Sequence, residues 1–388
     1  MMSNSGGSSA GFPRLGRRRL LAGLGGALLL AGLPGLAARA AAANRERWVA
    51  AQGDSSDSYS LGWLDGEGTG SRATFTGFRG HAVLQHALRA DSVVFVARRP
   101  GTRALEVDLA SGDIIGGFGC APGRHLFGHG CFSGDGAVFF TTEGDIAAGV
   151  GRIVVRDADS YRILEDWPSH GIGPHDIRLL PDGKTLVVAN GGILTRPATG
   201  REPLNLDTMC STLSYIDAAS GTLLDEYRVA EPKASIRHLD VAADGTVAFA
   251  IQLQRAAAGH DRSVPLAGVH RPGEALTLFS EPDAVIANLR DYVGSVAICG
   301  ASRVAGFASP HGNLAAFWCA DSGELRGYHR LRDVCGIAVS PRRGAFVVSN
   351  SLGEMRELDA VTLQERPEGR VVLPGCRWDN HLLITETA

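Results

Sequence analysis

Six histidines stand near the heads of apolar, strand-like runs: His81 and His86, His129, His175, His238 and His381. Imidazole is the commonest protein ligand for iron, copper and zinc. If these heads converge, the set could hold iron or another divalent metal. A structural reading stands beside it, because Gly-His pairs at strand heads also serve as hydrogen-bond links between strands and turns. The registers sharpen the question. His129 and His238 each lie seven residues before a turn glycine (136 − 129, 245 − 238), whereas His175 lies eight before its own (183 − 175). Side chains alternate along a strand with period two, so His175 joins the others only if a bulge corrects the slip.

Further polar residues belong to the same ends of the strands. Glu143, Asp145 and Asp207 are expected on loops above the histidines, with Arg201, Asn205, Arg237, Gln252 and His311 completing a ligand or partner face. Arg237 and His238 in "SIRHLD" would suit an anion at the mouth of a funnel; a buried Arg–Asp link with Asp240 or a neighbouring blade is the alternative. No catalytic residues are assigned. The chain has no His-Glu-x-x-His, no Gly-x-Ser-x-Gly elbow and no Cys-x-x-Cys. "NGG" at 190–192 is not a phosphate loop, since no helix and no Lys-Ser/Thr follow it.

The elements that position these residues repeat about every fifty residues. One marker is a tight turn after a first strand: "SGDG" ending at Gly136, "PDG" at Gly183, "ADG" at Gly245 and "PRRG" at Gly344. A second marker is the Ser-Gly or Pro-Gly pair at 111–112, 220–221, 272–273 and 322–323. Four short strands per repeat describe an all-β propeller blade. Six blades begin near Gly80, Gly128, Gly173, Ser235, Gly294 and Asp333. A seventh is shared between "RWVAAQGDSSDSYSLGWLDGEG" and "CRWDNHLLITET" at the two ends, which closes the ring without an open sheet edge.

Loop lengths then choose a working face. Turns between first and second strands, and between third and fourth, are tight. The long connections 141–151, 190–211 and 252–265 all fall on the opposite face, where the histidines begin their strands. Long loops on a rigid scaffold are where function concentrates.

The first 43 residues read differently from the propeller at 44–388. Arg17, Arg18 and Arg19 precede a glycine-interrupted apolar stretch and an Ala-rich end, the pattern of a twin-arginine export signal that is later removed. The expectation is a periplasmic protein without a stable membrane anchor. A formal charge of −3 gives no pull towards nucleic acid. Seven cysteines, with Cys131 and Cys335 in apolar strands, read mainly as core thiols. Folding before export, in a reducing compartment, makes obligate disulfides unexpected.

"ARRPG", "FGHGCFS", "TTE", "SHGIGPHDIRLLPDGKTLVVANGGI", "GREPLNLDTM", "SIRHL", "YVGSVA" and "DVCGIAVS" occur in this order. Together, from Arg72 to the C-terminus, they resemble a bacterial family of exported proteins classed as a domain of unknown function. The resemblance implies a seven-bladed propeller encoded beside imelysin-type and di-haem oxidoreductase-like proteins of a periplasmic iron-uptake system. It carries over no catalytic residue. His129, His175, Asn205, Asp207 and His238 fall in its motifs; Arg196 stands where relatives tend to have histidine, and His311 where they tend to have arginine. The expected function is an accessory binding protein of iron acquisition, taking a partner protein or metal on the long-loop face. The alternative is a metal-dependent enzyme, lactonase- or dehydrogenase-like, with its site at the channel mouth.

Overall fold

A computed structural model describes residues 46–55, 57–65 and 70–385, all within the compact unit Ala43–Ala388. The export signal read at 1–43 lies outside the described residues. Seven four-stranded antiparallel sheets form the molecule, the blades of a β-propeller. Six are contiguous in sequence. The remaining sheet takes Arg47–Gln52, Ser60–Asp65 and Ser71–Phe75 from the N-terminal side and Leu383–Thr385 from the C-terminal end. Arg47, Trp48 and Val49 pair with Thr385, Ile384 and Leu383, so backbone hydrogen bonds fasten the two ends together. Trp48 and Trp378 are buried at this closure, in one apolar cluster with Met355 and Leu382.

Each blade buries both faces of its inner strands against its neighbours. That is why these strands read as continuous apolar runs, such as Ser92–Ala97 and Ala345–Asn350, whereas outer strands such as Leu325–Arg330 alternate. Aromatic residues fill the wedges between blades. Phe279 stacks on Trp318 with ring centroids 5.5 Å apart, and Phe307 meets Trp318 edge-on at 5.8 Å. Full burial of one such ring stabilises by about 1.5–3 kcal/mol.

Inner strands are also tied around the ring by polar links. Asp176 accepts the Leu239 amide at 3.0 Å, and Asp240 accepts the Ile298 amide at 2.8 Å. Ser295 accepts the Ile337 amide at 3.3 Å, and Ser340 donates to Glu46 at 2.7 Å. These bonds hold successive inner strands at fixed heights around the channel.

The loop asymmetry is present, with one correction. On the face where the inner strands begin lie the connections 191–211, 254–266, 279–294 and 373–382; the first-to-second turns opposite are short. The segment 141–151 is not a long loop. It continues as strands Val138–Asp145 and Val150–Asp157, joined by a four-residue turn closed by the Gly149 amide on the Asp145 carbonyl. Two short helices, Arg255–Ala258 and Asp283–Asn288, decorate the long connections. Among the described residues no helix is long and apolar enough to cross a membrane.

Candidate metal centre

The inner strands that carry the histidines are Gly80–Gln85, Arg124–Phe132, Pro174–Leu179 and Ala234–Val241. Each breaks register with its partner near its head: between Gly80 and Val83, Leu126 and Gly130, Pro174 and Asp176, and Ile236 and His238. A bulge adds one residue and re-aims the side chains around it. This resolves the slip at His175. Asp176, not His175, holds the position seven residues before its turn glycine (183 − 176). His175 is the extra residue, as Arg237 is in the next blade, and both line the channel above the cluster.

Five imidazoles meet on the axis. His81 Nε2 lies 3.3 Å from His175 Nε2 and 3.3 Å from His381 Nε2. Ring centroids of His129 and His381 are 4.7 Å apart, and those of His175 and His238 also 4.7 Å. One nitrogen from each of His81, His129, His175 and His238 lies within 4.8 Å of the others, and all four residues are buried. His381 comes from the connection into the closing strand and has a positive φ of 70°. Gly128 is what lets His81 in. Its φ is +108°, and a Cβ there would stand 2.6 Å from the His81 ring.

These rings do not serve as strand-to-turn hydrogen-bond links. His81 Nδ1, His175 Nδ1, both nitrogens of His238 and Nε2 of His129 are buried without a hydrogen-bond partner among the described residues. Leaving so many polar atoms unsatisfied costs about 1–3 kcal/mol each, a cost that a bound cation would offset. A tetrahedral metal with ~2.0–2.1 Å bonds to nitrogen separates its ligands by roughly 3.3 Å. The two Nε2 separations from His81 are of that size. His129 presents its Nδ1 to Asp176 Oδ1 at 3.0 Å, the carboxylate–imidazole pairing that orients a metal ligand and leaves Nε2 free.

Electrostatics favour the ligating form. Burial, and then the charges of His381 and His129, hold His81 well below the ordinary imidazole value. Burial followed by His238 and Arg237 does the same for His175. Burial followed by His129 lowers His238, and burial followed by His238 lowers His381. A neutral imidazole is the form that binds a metal ion. Asp176 stays ionised despite burial, because Arg178 and His129 hold its carboxyl far below the usual range.

The cluster divides the channel. Above it, on the long-loop face, a cleft of about 190 Å³ is lined by His81, His175 and His238 with Arg98, Arg99, Arg201 and Arg237. Below it a cavity of about 420 Å³ is lined by His129 and His381 with Arg178 and Asp240. The imidazoles can therefore be reached from either side of the ring.

Several sequence-derived candidates lie elsewhere. His86 follows the far end of its strand, with Nε2 3.3 Å from the Ala158 carbonyl and Nδ1 accepting the Leu88 amide. Glu143 is not on a loop above the histidines. It is fully buried and bonds Arg156 at 2.6 Å between the strands of its own blade. Asp145 accepts the Ala148 amide in its hairpin and lies 3.4 Å from Arg124. Asn205 braces the long loop, accepting from the Leu194 amide and donating to the Gly192 carbonyl. Asp207 is exposed in a one-turn 3-10 helix. His311 is exposed and packs on Tyr292 with ring centroids 4.3 Å apart. Arg201, Arg237 and Gln252 do line the upper cleft. Asp176, Arg98, Arg99 and Tyr292 are additions that the sequence reading missed.

Comparison with known proteins agrees with the architecture. Residues 75–385 match the family described as "Protein of unknown function (DUF1513)". No curated protein matches the chain significantly. Among solved structures, hydrazine synthase of Kuenenia stuttgartiensis is similar in fold, with a TM-score of 0.58 at 14% identity, covering 75% of this chain and 86% of that one. At that identity the likeness concerns the fold alone.

Proposed function

We propose, from the premise that this chain belongs to the DUF1513 family, that it is a metal-binding propeller. Its channel histidines take up a divalent transition metal, with iron as the intended ion. The observation that carries this reading is the meeting of five imidazoles from separate parts of the ring, with buried ring nitrogens that have no hydrogen-bond partner among the described residues. His81, His129, His175 and His238 are the ligand set, with His381 completing it from the closing segment. Asp176 positions His129. An all-nitrogen set also suits copper and zinc, which outbid iron on raw affinity, so compartment and supply select the ion. In the wider reading the protein is exported to the periplasm. There it acts as an accessory of iron acquisition, handing metal to or from imelysin-like or di-haem partners on its long-loop face.

The test is elemental analysis of the protein purified from its native host, set beside a His81→Ala, His238→Ala double variant. One metal per chain, lost in the variant while the fold persists by circular dichroism, is the expected result. A metal-free wild-type protein that also fails to take up Fe(II), Cu(II) or Zn(II) on titration would refute it. The cleft that opens directly onto the histidines favours one second reading, a metal-dependent hydrolase of lactone type. That reading requires turnover that vanishes when the metal is stripped.

A further inference from the structure

Four guanidinium groups gather in the cleft above the histidines, and among the described residues none that lines the cleft is an acid. Arg98 shares Asp379 with Arg79, at 3.3 Å and 2.6 Å. One carboxylate therefore serves two arginines. Arg237 is 94% removed from solvent (6% exposed), yet its Nε has no hydrogen-bond partner among the described residues. Arg99 Nη1 is likewise buried and unpartnered. The Arg237–Asp240 link weighed from the sequence is not made: Asp240 accepts the Ile298 amide instead. Burial, then the positive charges of Arg237, Arg201 and Arg98, push the Arg99 guanidinium down to about 9. A buried charge without a counter-charge costs several kcal/mol, so a fold that assembles such charges needs something to neutralise them.

The placement is also built. Arg237 is the extra residue of the bulge in Ala234–Val241, which directs it up the channel beside His238. Gly191 leaves the room it occupies, since a Cβ there would stand 2.8 Å from Ser235 Oγ and 3.3 Å from Arg237 Nε. This gives the "NGG" stretch a purpose. Phe127, Ile193 and Pro203 supply apolar wall between the charges.

We propose that this cleft binds a small organic polycarboxylate directly over the histidine site. Planar guanidinium forks match carboxylates bidentately, and the apolar wall suits a carbon skeleton better than a bare inorganic oxyanion. A carboxylate oxygen held there faces the imidazoles, where it adds an oxygen donor to the metal proposed above. The ligand class is thus a metal-chelating di- or tricarboxylate. This inference rests on the metal reading for that last step, but the anion site does not need the metal to exist.

The experiment is calorimetric titration of the full-length mature protein with citrate, oxalate, succinate and inorganic phosphate. Each titration is run on metal-stripped protein and on protein loaded with Zn(II). Stripped wild-type protein should bind at least one carboxylate. Arg237→Gln and Arg99→Gln should each weaken it tenfold or more, and leave Zn(II) stoichiometry unchanged. Citrate or oxalate should bind tighter still to the loaded protein. Carboxylate binding without any Zn(II) uptake would sink the metal reading and keep the anion site. Zn(II) uptake with no carboxylate binding in either state would overturn the anion site alone. Tighter binding of phosphate than of every carboxylate would overturn the assigned class. A Gly191→Ala variant, which crowds Arg237 without removing charge, should show the same loss; retained affinity there counts against the site.

Discussion

His129 Nδ1 and Asp176 Oδ1 stand 3.0 Å apart across two neighbouring blades. The same carboxylate accepts the amides of Ile177 at 2.8 Å and Leu239 at 3.0 Å, so it is fixed before it meets the ring. A carboxylate held this way is placed to orient the ring as a metal ligand. Asp176→Asn keeps the shape but gives up the charge. It should lower metal affinity about 10–100-fold, read by competition with a chelator of known strength, with thermal unfolding recorded alongside. An unchanged affinity would remove Asp176 from the site.

Metal-free protein should lose stability in acid earlier than its carboxylates alone would dictate. His81, His175, His238 and His381 are all held below the ordinary imidazole value by burial and by one another. The unfolded chain protonates its histidines near pH 6.5 and the folded channel does not. Below that pH the unfolded state binds more protons. The stability fully present above about 6.5 therefore drains away as pH falls towards the folded values, by at most about 1.4 kcal/mol per pH unit for each ring. Urea unfolding in chelator at pH 7.5, 6.5 and 5.5 checks this. Equal stabilities across that range would contradict it, and His238→Gln should flatten the slope.

Gly128→Ala tests the packing that admits His81. A Cβ would meet the ring at 2.6 Å on a backbone with φ of +108°. The strain should cost about 1–3 kcal/mol and displace His81 from the cluster. Both a lower unfolding midpoint and weaker metal binding are expected; loss of stability with full metal affinity would show that His81 is dispensable as a ligand.

Blade number and the shared closing blade were legible because tight-turn dipeptides and apolar runs are local signals that recur. The histidine heads were legible for the same reason, apart from the bulge, whose trace was the eight-residue spacing at His175. Asp176 had an equal signal, the seven-residue register it shares with His129 and His238, but a search for ligand types passes over an acid that acts through a neighbour. Arg98, Arg99 and Tyr292 come from connections whose convergence depends on ring closure, and no spacing along the chain encodes that. Glu143 was misplaced by a hairpin length. Strand pairing runs on to Asp145 instead of giving way to a loop at Thr141, which carries the carboxylate inside the blade.

That relocation makes Glu143 a control for everything proposed about the channel. It is buried with Arg156, whose guanidinium also lies over the Phe118 ring at 4.2 Å. Removing one partner strands the other charge in the interior, which costs about 3–5 kcal/mol. Glu143→Ala should therefore lower the urea midpoint more than any single channel histidine variant measured above pH 7. Since the pair lies outside the cluster and the upper cleft, folded Glu143→Ala protein should bind Zn(II) with wild-type stoichiometry and affinity. A selective loss of metal with stability intact would reverse the assignment and return Glu143 to the ligand face.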